Sequence, residues 1–153
     1  MSLRDRIEEE FKQAFKAGEK AKVAVLRMLK SKLQEKHVAL RGEKGKDHVL
    51  SDEDVQAVVA AYAKQRRDSI ESYVAAGREE LAEQERAELA LVETYLPQQL
   101  GDDELRGIVG EVIAETGASS IKDMGAVMKG VMARVRGAAD GKRVQTFVKE
   151  RLR

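Results

Sequence analysis

Apolar residues recur every three to four positions along almost the whole chain, and no window alternates as a strand would. Leu3, Ile7, Phe11, Ala14 and Phe15 share one helical face, and Gly18 sits where that helix should stop. Leu26, Leu29, Leu33 and Leu40 predict a second helix over about 19–40, widened by Val23, Val25 and Met28. A face that broad predicts more than one packing neighbour. The stretch from Arg41 to His48 is polar, holds two glycines and predicts a loop. Ser51 reads as the N-cap of a third helix, with Asp54 three residues on and Leu50 and Val55 at the staple positions. That helix runs to about 76, followed by Gly77. A fourth spans about 78–95 and stops before Pro97, the only proline. Gly101 to Glu104 opens a fifth with acids in its first turn, and Gly117 ends it. Ser120 with Asp123 starts a sixth, striped by Met124, Val127, Met128, Val131 and Val135 and closed by Gly137. Asp140 caps a seventh carrying Val144, Phe147, Val148 and Leu152. These elements predict an all-α protein: a four-helix part over 1–96 and a three-helix bundle over 97–153.

Composition narrows the chemistry. The absence of cysteine removes disulfides, thiolate catalysis and zinc–thiolate sites. Two histidines, His37 and His48, are too few for a histidine-rich metal centre, and with Asp47 they make only a weak ligand set. No apolar run is long enough to span a bilayer, so a soluble, cytoplasmic protein is expected. Aromatics are 4% of residues, a poor outlook for strands or base-stacking platforms. The net charge of +1 excludes a uniformly basic coat but hides an asymmetry. Residues 1–50 hold 13 basic and 8 acidic side chains, 51–100 hold 5 and 11, and 120–153 hold 9 and 3. Basic ends flank an acidic middle.

In the third helix Arg66 falls within the stripe Val55, Val59, Tyr62, Ile70, Tyr73. In the fourth, Glu85 and Glu88 fall within Leu81, Leu89, Val92. If Gly77 turns an antiparallel hairpin, Arg66 and Glu88 lie level, each eleven residues from it. A structural ion pair between Arg66 and Glu85 or Glu88 is therefore expected.

Several stretches resemble the YqeY family: Lys64 to Tyr73, Gly77 to Glu85, Tyr95-Leu-Pro-Gln-Gln-Leu100, Asp123 to Met128, and Gly137-Ala-Ala-Asp-Gly141. The resemblance implies two α-helical subdomains. It also implies likeness to the C-terminal tail of the B subunit of the tRNA-dependent amidotransferase, most locally at Met124 to Lys129 with Gly137, Asp140 and Val144. That tail helps hold tRNA while the chemistry lies elsewhere, and related modules are attached to some glutaminyl-tRNA synthetases. The resemblance thus implies tRNA or amidotransferase machinery as partner, and a formal grouping with carbon–nitrogen ligases that use glutamine as amido donor.

The residues themselves offer no catalytic constellation. Glutamine hydrolysis needs an activated nucleophile, yet Ser51 and Ser120 occupy cap positions and Lys64 does not share a face with Ser69. Gly42 and Gly45 lack the ending of a phosphate-binding loop. No cofactor is implied. Given the tail's role, Lys129, Arg134, Arg136, Lys142 and Arg143 are the expected phosphate contacts. Lys64 and Arg67 form a second candidate, with Lys30, Lys32 and Lys36 on the second helix behind them. A non-catalytic tRNA-binding or tRNA-amidotransferase-associated module is the first expectation. The alternative is a protein–protein adaptor that uses the acidic middle.

Overall fold

The computed structural model describes all 153 residues as helices joined by short turns. The order is α1 (Leu3–Ala17), α2 (Lys20–Lys44), α3 (Asp52–Ala75), α4 (Glu79–Glu93), α5 (Asp102–Thr116), α6 (Met124–Val135) and α7 (Gly141–Leu152). The chain divides into two compact units, Met1–Leu96 and Pro97–Arg153. The protein is all-α, and no helix is long and apolar enough to cross a membrane.

In the first unit the stripes of α1 to α3 close around Ile7, Leu26, Leu29, Leu33, Val55 and Val59, all essentially without solvent exposure, with Val92 from α4. Leu50 and Val55 both reach this core, which fixes the angle at which the chain turns into α3. Its cap is complete: Ser51 Oγ accepts from Asp54 N, and Asp54 Oδ2 accepts from Ser51 N at 3.0 Å. The bond from the Ser51 backbone N–H holds the Asp54 carboxyl below its ordinary value. The cap therefore contributes fully above the ordinary value near 3.8 and is lost as pH falls through the lower native one. Ser51→Ala should cost about 1 kcal/mol at neutral pH, and the difference from wild type should shrink in acid unfolding titrations.

At the far end of α3, Arg78 N donates to Tyr73 O at 2.8 Å and Gly77 N to Val74 O at 3.1 Å, the paired bonds of a Schellman turn. Gly77 supplies the φ of 71° that this turn requires. Close to the core's edge, Tyr95 is buried and its hydroxyl donates to Glu10; burial first, then that bond, pushes the phenol well above its ordinary range.

Three local expectations need correction. The loop expected from Arg41 begins later, because α2 continues to Lys44. The break comes at Gly45, which takes φ 107° and donates to Arg41 O, while Gly42 stays inside the last turns. Phe15 does not join the core of α1: it is 63% exposed, at the edge of the stripe. Ser120 caps a short 3-10 turn, Ile121–Asp123, rather than α6 directly.

The second unit packs Leu105, Val109 and Val112 of α5 against Val127, Val131 and Val135 of α6 and Val144, Phe147, Val148 and Leu152 of α7. Met124, Met128 and Met132 lie half-buried against this cluster. The segment after Pro97 is tied to the α6–α7 turn: Leu100 N donates to Ala138 O at 2.8 Å and Gln99 Nε2 to Gly137 O at 2.9 Å.

Candidate nucleic-acid interface

The basic side chains of the second unit separate into two groups by helical phase. Each residue advances about 100° around a helix, so neighbours in sequence point in different directions. Arg134 turns toward α5, where Nη1 lies 2.9 Å from Glu111 Oε2 and Nη2 reaches Glu115. The hydrogen bond to Glu115 raises its pKa further. Arg143 does the same with Asp102, at 2.6 Å, while its backbone N–H is accepted by the α7 cap Asp140. The guanidinium of Arg151 lies over Gly110 of α5. Acids of α5 therefore neutralise two of the five expected phosphate contacts, Arg134 and Arg143.

Lys129, Arg136 and Lys142 are all exposed. Lys129 and Arg136 lie seven residues apart, two turns along one face of α6 and about 10 Å in rise. Two further exposed lysines are Lys122, in the 3-10 turn before α6, and Lys149, seven residues after Lys142 on α7. Both are additions to the expected set.

Arg136 carries a second mark. Its φ of 41° makes it the only non-glycine residue with a positive φ, and Gly137 follows at 88°. The expected C-terminal glycine of α6 thus comes one residue late: Arg136 takes the left-handed cap. That conformation costs a residue with a Cβ about 1 kcal/mol or more.

The second candidate patch does not assemble. Lys64 is exposed, but Arg67 is half-buried and its Nη2 lies 3.2 Å from Glu93. Lys30 and Lys32 point to different sides of α2, as a two-residue step dictates. Lys30 lies over the Phe11 ring of α1, whereas Lys32 and Lys36 line a groove of about 410 Å³ against Val58, Ala61 and Tyr62 of α3.

Arg66 lies against both acids of α4, with Nη1 3.1 Å from Glu85 Oε2 and 3.2 Å from Glu88 Oε2. Its guanidinium also stacks 4.9 Å over Tyr62. Burial raises the pKa of that tyrosine, and the Arg66 charge opposes the rise. The histidines have structural partners. His37 Nε2 lies 3.0 Å from His48 O and Nδ1 3.2 Å from Arg4, while His48 Nε2 is 3.6 Å from Asp54. No group of three or more acids and histidines is placed to hold a metal ion. Ser51 and Ser120 both accept backbone N–H bonds as caps.

Among known proteins, the chain is similar to a yeast protein of Vanderwaltozyma polyspora described as altered inheritance of mitochondria protein 41, mitochondrial. The two are 26% identical over 125 residues, which is 77% of this chain. The matched stretch spans 64% of the relative's own length, just under two thirds. The family described as Yqey-like protein matches residues 4–152, through both helical units. The chain is a member of the YqeY-like protein family.

Proposed function

We propose that this protein is a non-catalytic tRNA-binding or tRNA-amidotransferase-associated helical module, acting in the cytoplasm. The observation that carries the proposal is the sorting of charge on α6 and α7. Arg134 and Arg143 are held by acids of α5, while Lys122, Lys129 and Lys149 stand exposed, with Arg136 and Lys142 exposed between them. Such a surface binds phosphates by electrostatics, with little reading of bases. Likeness of this unit to the amidotransferase tail supplies the substrate class.

Retention of tRNA should fall steeply between roughly 50 and 200 mM salt. Neutralising Lys129 and Lys142 should lower the salt slope by about one for each lysine that meets a phosphate. Arg134→Gln and Arg143→Gln should change it less. Arg136→Gly separates binding from folding: it relieves the left-handed strain, so stability should rise by about 1 kcal/mol while tRNA affinity falls. No tRNA retained at low salt would end the proposal. A protein captured through the acidic α3–α4 hairpin after nuclease treatment would favour the adaptor reading.

A further inference from the structure

The edge of the first unit where α1 meets α2 carries one phenylalanine ring that the core does not absorb, Phe15, beside Phe11, which packs partly buried against the core. Phe11 is half-buried and Phe15 is 63% exposed, with ring centroids 6.2 Å apart and planes inclined by 32°. Cations surround the pair. Lys30 Nζ lies 4.3 Å from the Phe11 centroid, and the Arg27 guanidinium 5.8 Å from it. Lys12, three residues before Phe15, is its neighbour on the helix surface, and Lys16 follows Phe15 in sequence. No carboxylate lies within salt-bridge distance of Lys12, Lys16, Arg27 or Lys30, whereas the nearby Glu8 bridges Arg4 at 3.8 Å. An aromatic face left in water beside unpaired cations is the arrangement on which single-stranded nucleic acid stacks its bases and rests its phosphates.

We infer that Phe15, flanked by Lys12 and backed by Phe11 with Arg27 and Lys30 against the Phe11 ring, is a stacking platform for an unpaired nucleotide of bound RNA. Phe11 already has Lys30 against it, so Phe15 offers the open ring. Self-association through the same patch would oppose three cations to three, which charge disfavours. The inference rests on the proposal that the protein binds RNA, but places a contact in the unit that the amidotransferase likeness does not reach.

The chain contains no tryptophan, so Phe15→Trp gives a single, clean fluorophore at the platform. Titration of the full-length variant with a 12-mer oligo(U) should quench and shift its emission, and a blunt RNA duplex should do so far less. In the otherwise native protein, Phe15→Ala and Phe15→Leu should each weaken oligo(U) binding about tenfold, since the leucine keeps apolarity but loses the stacking face. Both should leave thermal stability nearly unchanged because the ring is exposed. Neutralising Lys129 and Lys142 should leave the quench by oligo(U) in place. If tRNA binding is intact and sensitive to Lys129 and Lys142 while Phe15→Trp shows no quench, the platform is overturned and the α6–α7 surface stands. If no RNA binds at all, both fall together. If phosphatidylglycerol vesicles quench the tryptophan and oligonucleotides do not, the patch is a membrane contact and the inference is overturned.

Discussion

Arg66→Leu should lower the stability of the first unit by about 2 kcal/mol at neutral pH. Removing one partner of a fully buried ion pair costs about 3–5 kcal/mol, and exposed pairs contribute roughly 1 or less. The Arg66 and Glu85 side chains are 23% and 16% exposed, so the effect falls between those limits. The variant leaves two carboxylates three residues apart on α4 with no cation between them. Urea unfolding of both proteins at pH 7 measures this. Replacing Arg66, Glu85 and Glu88 together by leucine should restore or exceed native stability, because no charge is then left behind. A single-variant loss below about 0.5 kcal/mol would mean that water already screens the site.

That cluster was legible because helical hairpins are nearly one-dimensional. Equal counting from Gly77 puts Arg66 level with Glu88, and the side chains are 3.2 Å apart. The seven helices were legible for the same reason: caps, stripes and glycines are local signals, and Ser51, Gly18 and Asp140 each act within one turn of themselves. What was not legible depends on contacts between helices. Residues 120–153 hold nine cations, but α5 contributes the acids that neutralise Arg134 and Arg143 from twenty to forty residues away. Glu93 draws Arg67 inward in the same manner. Phe15 follows the spacing of Phe11 and so reads as core, yet it lies at the margin of the buried sector. Helical phase assigns a direction; only packing decides whether anything covers it.

Packing likewise divides the glycines, which sequence alone cannot rank. Gly107 and Gly130 both lie inside helices. A Cβ at Gly107 would meet nothing within 4 Å, so Gly107→Ala should stabilise by up to about 1 kcal/mol through helix propensity. A Cβ at Gly130 would stand 2.7 Å from Val112 Cγ1, closer than two carbons tolerate. Val112 is 2% exposed and β-branched, so it has neither space nor an easy alternative rotamer. Gly130→Val should therefore destabilise the second unit by about 2–3 kcal/mol, the overpacking cost exceeding the few tenths gained from propensity. Amide hydrogen exchange on the full-length protein is the suitable measurement, since protection in α5 to α7 reports this unit by itself. Combining Gly130→Ala with Val112→Ala should cost less than the sum of the two single changes, because the second removes the methyl that the first strikes. Additive losses, or unchanged protection in Gly130→Val, would show that α5 and α6 approach less closely there than 2.7 Å implies.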